Sequence, residues 1–187
     1  MTNMKSPKTF YIFYAWAEGP WFGRKLSEEL KKSGFTEAPI NEATVLIAHS
    51  IGTYLVRPIR NNKIVILVGP PLWPGKSMTV RLLQKVWHDR ENVSFRHWVY
   101  KLFWNTFYII TKPIISIRAI RAGHLQDPLS AAGNNSIVIQ NANDVFCAPD
   151  LSKLLKQKVI SLPGQHDDCW YNPTPYLKII DTKYRAL

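Results

Sequence analysis

Five short runs of apolar and mostly β-branched residues constrain the fold of this chain more than any other feature. Continuous runs of this kind, bounded by turn residues, are typical of strands that are buried on both faces. They are Thr9–Tyr14 (TFYIFY), Thr44–Ala48 (TVLIA), Lys63–Val68 (KIVILV), Ser136–Gln140 (SIVIQ) and Lys158–Leu162 (KVISL). Buried strands that alternate with helical segments indicate a mostly parallel sheet with helices on both faces. The pattern therefore predicts a doubly wound α/β domain.

The segments between these runs are predicted to be mainly helical. The shorter helical segments are Trp21–Lys32, Thr53–Ile59, Pro149–Lys156 and Tyr176–Tyr184. A longer aromatic and basic helical stretch extends from Trp73 to about Ala122 and is broken at Pro113, because proline lacks the amide hydrogen a helix needs. A chain of 187 residues suits one domain. We therefore expect a single domain over residues 1–187, with an accessory helical insertion at 73–130.

The positive charge of the chain is concentrated in its middle. The formal net charge is +11, from 24 Lys and Arg against 13 Asp and Glu. Residues 57–121 contain 12 of these bases and four of the seven Trp, whereas the flanking segments are close to neutral. Bases interleaved with aromatic residues suit nucleic-acid binding. However, a helical aromatic stripe is more often packing, and no nucleic-acid motif is present, so no nucleic-acid partner is expected.

The composition argues against several other classes of protein. A hydrophobic fraction of 46% excludes a disordered chain, and two cysteines exclude a disulfide framework or a multi-cysteine zinc site. No targeting segment is recognised near the N-terminus. The apolar stretch Val99–Ile117 contains Lys101, Lys112 and Pro113, which argues against a membrane-spanning helix. We expect a cytoplasmic protein with no transmembrane segment.

Three residue types that can cooperate in catalysis follow three of the predicted strands. Ser50 follows the second strand, Asp144 the fourth and His166 the fifth. The carboxyl ends of parallel strands share one edge of the sheet, where ligands bind in such folds. A serine hydroxyl needs a base to become a nucleophile, histidine is that base, and a carboxylate orients the histidine. The amide of Ile51 would then help to bind an oxyanion.

The sequence around these residues resembles the α/β-hydrolase superfamily. The segment LIAHSIGTYL is similar to its nucleophile elbow, SIVIQNANDVFCAP to its acid loop, and VISLPGQHDDCW to its histidine loop. Ala48 and Gly52 supply the small neighbours that a serine on a tight strand-to-helix turn requires. The short scaffold is similar to that of small serine hydrolases of the retinoblastoma-binding protein nine type, and the resemblance covers most of residues 9–72 and 136–187.

This resemblance implies a function and a set of roles. It implies a serine esterase that cleaves an ester or related acyl bond, with Ser50 as nucleophile, His166 as base and Asp144 as its partner. It implies a small-molecule acyl substrate, no cofactor and no metal. Residues 73–130 take the place of the family's variable cap, where their positive charge would favour an anionic substrate or membrane surface. By position, Trp16 is the expected second oxyanion donor.

The sequence also departs from the family pattern. Ala48 replaces the first glycine of the elbow, and Tyr14-Ala15 stands where the family has an HG pair. Only Pro39–Ala43 precede the nucleophile strand, where a helix is usual. An alternative interpretation is therefore a catalytically degenerate binding protein that uses its basic cap, with Arg81, Lys85 and Arg90 as contacts.

Another alternative is a phosphate or nucleotide binder at Gly75-Lys76-Ser77. These residues follow a strand and match the end of a P-loop motif, although Pro70 stands at its first glycine position. Pro70, Pro71 and Pro74 also lack amides that a phosphate cradle would donate.

Several residues near the candidate site are interpreted as structural. His49 is expected to be a packed, hydrogen-bonded neighbour, and the pair Asp167-Asp168 to serve the loop and not a metal. Asp150, a rival to Asp144, is interpreted as a helix N-cap. Cys147 and Cys169 lie in two loops that should converge, but their spacing alone does not predict a disulfide.

Overall fold

A computed structural model describes residues 7–14, 20–56, 63–71, 83–84, 86–88, 90–91, 94–114, 117, 136–148, 151–155 and 159–185. Several sequence predictions fall outside these residues. They concern Trp16, Asp150, Arg81, Lys85, the Gly75-Lys76-Ser77 motif, and much of the insertion at 73–130.

The described residues form an α/β fold around one six-stranded sheet. All strand pairs are parallel, and the strand order is β2-β1-β3-β4-β5-β6. The strands are β1 (Thr9–Phe13), β2 (Thr36–Glu37), β3 (Val45–His49), β4 (Ile64–Val68), β5 (Ser136–Asn141) and β6 (Val159–Leu162). The five predicted strands are confirmed, and their ends differ from the predicted ends by no more than one residue. The short strand β2 was not predicted.

The helical elements agree with the predictions in part. They are α1 (Arg24–Lys32), a 3-10 helix (Ser50–Leu55), α2 (Phe95–Thr111), α3 (Leu151–Leu155), α4 (Asp168–Tyr171) and α5 (Thr174–Arg185). Helix α2 ends just before Pro113, where the break was predicted. The predicted helix at Thr53–Ile59 is wrong in its start and type, because the chain enters a 3-10 helix directly at Ser50. The segment of α4 was predicted to be part of a loop.

The sheet is covered on both faces, as continuous apolar strands require. Every residue of β3 and β4 is buried. On one face, the side chains of alternate strand residues such as Ile47 and Ile66 pack with Leu30 of α1, Trp170 of α4 and Ile180 of α5. The other face contains Leu46, Ala48, Val65, Leu67 and Val138, together with Leu151 of α3. The two faces thus form two separate apolar clusters.

The strand order determines where a ligand can approach. The chain passes from β1 outward to β2 and then back across β1 to β3, so the direction of winding reverses between β1 and β3. Open parallel sheets bind ligands in the crevice at the carboxyl ends of the strands beside such a reversal. Residues 38–44 make the connection from β2 to β3 without a helix, as expected from the short segment before the second predicted strand. Ser50 follows β3 directly and so lies at this point.

Among the described residues, no helix combines the length and apolar character needed to cross a membrane.

Candidate functional site

Ser50 stands on a strained turn between β3 and the 3-10 helix. Its φ is +51°, and it is the one residue other than glycine with a positive φ in the described part of the chain. This conformation costs an L-residue about 1–2 kcal/mol, so surrounding contacts must hold it. One such contact is the Thr53 hydroxyl, which donates a hydrogen bond of 2.6 Å to the Ser50 carbonyl oxygen. Strained backbone that neighbouring structure enforces is concentrated at functional sites.

Gly52 allows this turn to lie against the end of β1. A Cβ atom at Gly52 would lie 2.6 Å from the carbonyl oxygen of Phe13 and 2.7 Å from that of Tyr14. Both neighbours are backbone atoms, which cannot move aside as a side chain can. The position therefore requires glycine for close approach. This agrees with the expectation that small residues surround Ser50, and Ala48 is completely buried beside it.

The structure brings Asp144 and His166 into direct contact. Nδ1 of His166 lies 2.7 Å from Oδ2 of Asp144, and both residues are buried. Asp144 Oδ1 accepts a hydrogen bond of 2.9 Å from the Phe146 amide, and Oδ2 accepts one of 3.2 Å from the Cys147 thiol. The acid loop thus folds its own donors around the carboxylate.

These contacts decide the charge of Asp144. Burial raises the pKa of its carboxyl group, but the charge and hydrogen bond of His166, with the Phe146 and Cys147 hydrogen bonds, outweigh burial and hold the pKa below its ordinary value. Asp144 is therefore ionised at neutral pH and only accepts hydrogen bonds. Because a carboxylate has no proton to donate, Nδ1 of His166 carries the proton between them. In a neutral imidazole, Nε2 then has the free lone pair.

Nε2 of His166 is buried, and it has no hydrogen-bond partner among the described residues. Buried polar atoms are nearly always paired, so an unpaired one is a candidate for binding a ligand or transferring a proton. The ring of His49, the residue before Ser50, lies 4.8 Å from the ring of His166. No hydrogen bond joins Ser50 to Nε2 of His166 in this structure.

His49 and Asn141 hold the backbone of the histidine loop. Nε2 of His49 donates a hydrogen bond of 2.9 Å to the carbonyl oxygen of His166. Nδ2 of Asn141 lies 3.5 Å from the same oxygen and also donates to the carbonyl oxygen of Gln165. The expectation that His49 is a packed, hydrogen-bonded neighbour is confirmed, since its ring also packs 4.9 Å from that of Trp170.

Tyr176 of α5 extends this network. Its hydroxyl donates a hydrogen bond of 2.6 Å to Oδ1 of Asn141, and burial raises the pKa of that hydroxyl. The amide of Asn141 is thereby oriented with its Nδ2 toward the histidine loop. Sequence reasoning did not single out Asn141 or Tyr176. A polar residue at the end of the buried strand SIVIQN was the available signal for Asn141.

Gly69, at the end of β4, is a further residue that the sequence reasoning missed. Its φ is +55°, and a Cβ atom there would lie 3.0 Å from Asp144 Oδ2 and 3.1 Å from His166 Nδ1. Gly69 therefore leaves room for the Asp144–His166 pair against the sheet. In the sequence it could be recognised only as a turn residue after a strand.

The remaining residues of the two loops have structural contacts. The Gln165 amide donates a hydrogen bond of 3.1 Å to Oδ2 of Asp168, which agrees with a role for Asp168 in the loop. Cys147 and Cys169 are both buried, and neither forms a disulfide.

Two groups of side chains at the site have a spacing that could hold a metal ion. They are His49, His166 and Asp167, and Asp144, Cys147 and His166, each with ligand atoms within 4.8 Å of one another. In each group at least one of these atoms already has a partner: Nε2 of His49 binds the His166 carbonyl oxygen, and Oδ2 of Asp144 binds Nδ1 of His166. A metal would have to break these hydrogen bonds, so the arrangement fits a hydrogen-bonded pair better than a metal centre.

A cleft of about 1260 Å³ lies beside Asp144. Residues from the 83–91 segment form one wall, and the ends and loops of β5 and β6 form the other. The wall residues include Leu83, Trp87, His88, Glu91, Gln140, Asn143, Asp144, Val145, Ser161 and Gln165. Neither Ser50 nor His166 is among the residues that line it.

The fold and site define a parallel α/β protein with a buried acid–histidine pair at the carboxyl ends of its strands. The chain matches no model of a known protein family, and it matches no curated protein.

Proposed function

We propose that the chain is a serine hydrolase of the α/β-hydrolase kind that cleaves an ester or related acyl bond. Ser50 attacks the acyl carbon, His166 takes the hydroxyl proton and later gives it to the leaving group, and Asp144 orients the imidazole and stabilises its cation. Water then attacks the acyl-enzyme with the same histidine as base, which releases the acid and restores Ser50.

The observation that carries this proposal is the state of His166. Its Nδ1 is bound to an ionised carboxylate, while its Nε2 is buried and has no hydrogen-bond partner in the part of the chain that the structure describes. A general base requires this combination, since one ring nitrogen is fixed and the other is free to accept a proton. Ser50 supports the assignment from a separate direction, because its positive φ is the backbone conformation of a nucleophile turn.

The oxyanion of the tetrahedral intermediate needs two donors. The amide of Ile51, which follows the nucleophile, is the first, as in the elbow that the sequence resembles. Trp16 remains the proposed second donor, and it lies outside the described residues. Two amides would supply the electrostatic stabilisation that makes this class of site effective.

Residues 73–130 are proposed to be the cap of this hydrolase. The support is that Trp87, His88 and Glu91 line a cleft together with the acid-loop residues Asn143 and Asp144. The positive charge of the segment would raise the local concentration of an anionic acyl substrate.

A fluorophosphonate probe tests the proposal directly. We expect it to label the wild-type chain, and the label to be located on Ser50 by peptide mapping. Ser50→Ala should abolish labelling and lower ester turnover by about four orders of magnitude. Ser33→Ala is the matched control, because Ser33 is an exposed serine at the end of α1, remote from the site. Turnover that survives in folded Ser50→Ala would overturn the proposal.

A second candidate function is binding without catalysis. The observation that favours it is that Ser50 makes no hydrogen bond to Nε2 of His166. This function predicts no probe labelling and no loss of function in Ser50→Ala, whereas the charge reversal Arg90→Glu abolishes binding. Labelling at Ser50 would decide against it.

A further inference from the structure

Helix α2 presents a row of large apolar side chains to solvent. At intervals of about two helical turns, Phe95 is 73% exposed, Phe103 62% and Ile110 72%. Other exposed members of the row are Val99, Leu102 and Phe107, and Ile114 and Ile117 extend it beyond the helix. We call these eight residues the apolar stripe. Monomeric proteins rarely leave a continuous apolar surface of this kind unless it binds something.

The opposite side of α2 holds the helix against the rest of the protein. Nε1 of Trp98 donates a hydrogen bond of 3.0 Å to the carbonyl oxygen of Val86. The ring of Trp104 lies 6.0 Å from that of Trp21. Both tryptophans are only partly exposed, so they anchor the helix, and the apolar stripe faces away from these contacts. The stripe is therefore not the packing face of α2.

The charged residues of α2 itself are all positive. The sequence contains no Asp or Glu from residue 92 to residue 126. Arg96 is exposed on the same side of α2 as the stripe, and Lys112 is exposed directly after the helix. Two copies that met through this face would bring their bases together, and like charges in contact are unfavourable. The charge therefore disfavours a second copy and favours an anionic partner.

We propose that the apolar stripe binds the surface of an anionic lipid bilayer, with α2 lying in the plane of the membrane. Aromatic and aliphatic side chains enter the boundary between headgroups and acyl chains, while flanking Lys and Arg bind anionic headgroups. A nucleic acid fits less well, because the aliphatic side chains of Val99 and Ile110 lie in the middle of the exposed face and offer bases no stacking partner. The inference goes beyond the proposed hydrolase activity and does not depend on it.

Vesicle co-sedimentation of the full chain tests the inference. We expect binding to vesicles of phosphatidylcholine and phosphatidylserine, weaker binding to phosphatidylcholine alone, and a decrease with salt. Phe103→Ser with Ile110→Ser should weaken binding by about tenfold or more, since both side chains lose their transfer into lipid. Arg96→Glu should weaken it by about fivefold or more.

Matched control variants distinguish an effect of the apolar stripe from a general effect of changing surface residues. Tyr171→Ser removes an exposed aromatic residue outside the stripe, and Lys178→Glu makes the same charge change as Arg96→Glu on α5. Both should bind vesicles like the wild type. Melting temperatures check that each variant is folded.

Three outcomes would overturn the inference. The first is no binding of the folded wild type to anionic vesicles at low salt. The second is vesicle binding that Phe103→Ser with Ile110→Ser leaves unchanged. The third is a wild-type chain that does not bind vesicles but forms a dimer, or binds a single-stranded oligonucleotide, through the stripe. In that case Phe103→Ser with Ile110→Ser would abolish the dimer or the oligonucleotide binding. Hydrolysis of a water-soluble ester is measured without vesicles, so failure of the proposed hydrolase activity is a separate result.

Discussion

At the scale of single residues, Gly69 is the position on which the acid–histidine pair depends most closely. Two of the chain's positive-φ glycines differ in a useful way. Gly34, at φ +84°, has nothing within 4 Å of an added Cβ atom, whereas at Gly69 that atom would meet Asp144 and His166 at 3.0–3.1 Å. An alanine at either position would have a strained backbone, because φ is positive. Only at Gly69 would its Cβ atom also crowd Asp144 and His166.

Gly69→Ala should therefore damage the site, and Gly34→Ala should not. We expect Gly34→Ala to lower the free energy of unfolding by about 1 kcal/mol through strain alone. Gly69→Ala should lower it by more and, under the proposed mechanism, reduce kcat by about a hundredfold, because an extra methyl group displaces the Asp144–His166 pair. Urea unfolding and ester turnover measure the two effects. Equal turnover in the two folded variants would show that the pair tolerates displacement or is not catalytic.

The same residue scale shows what sequence could predict about the site. Asp144 and His166 could be predicted to meet, because both follow strands of one parallel sheet and such strand ends share an edge. The role of Gly69 could not be predicted, because this glycine leaves space for two side chains that are 75 or more residues away in the chain. The environment of Asp144 was also hidden, since the Cys147 thiol and the Phe146 amide act through the local fold of the acid loop.

At the scale of elements, Asn141 connects β5, α5 and the histidine loop. Asn141→Ala removes the donor to the Gln165 and His166 carbonyl oxygens, and it leaves the Tyr176 hydroxyl without its acceptor. Under the proposed mechanism we expect kcat to fall by about a hundredfold with little change in KM, because Asn141 would position His166 without contacting the substrate. Steady-state kinetics with a soluble ester measure kcat and KM separately.

Tyr176→Phe is the matched comparison for Asn141→Ala. It removes only the hydroxyl group and leaves Nδ2 of Asn141 in place, so it should cost about 1 kcal/mol of stability and less than about tenfold in kcat. A rise in KM with unchanged kcat in Asn141→Ala would contradict a positioning role, since it would place the residue in substrate binding.

Elements also differ in how well the sequence reveals them. Strands β3 and β4 are buried at every residue, so their apolar runs identify them without knowledge of the fold. Strand β2 has two exposed residues and exists only because β1 offers it a partner, which a local pattern does not report. Helix α4 was predicted as a loop because its four residues are too few to show helical periodicity, and its Trp170 is buried through tertiary packing.

At the scale of the whole molecule, charge and core are distributed differently. Most core residues lie in the nearly neutral flanking parts of the chain, and among the described residues the basic segment 57–121 contributes strand β4 to the core. That segment contains 12 of the 24 bases. Net charge therefore says little about the fold, and it bears on what approaches the surface. This explains why the sheet could be predicted from apolar runs alone, while the exposed face of α2 became evident only with the fold.

The buried acid–histidine pair should also appear in the pH dependence of global stability. The pKa of Asp144 is lower in the folded protein than its ordinary value, so its contribution to stability is present above the ordinary aspartate range and is lost as the pH falls through the folded pKa. Asp144→Ala leaves His166 without its partner and should lower the free energy of unfolding by about 3 kcal/mol at neutral pH. That difference should become smaller below about pH 4.

Asp181→Ala provides the contrast in this experiment. The pKa of Asp181 is also lowered, chiefly by its hydrogen bond with Arg185, but this ion pair lies at the surface, where solvent screens it. Its loss should cost less than about 1 kcal/mol at any pH. Urea unfolding followed by tryptophan fluorescence at neutral pH and near pH 3 measures both variants. A deficit in Asp144→Ala that is equally large at both pH values would mean that the carboxyl group stabilises the fold through packing and not through its charge.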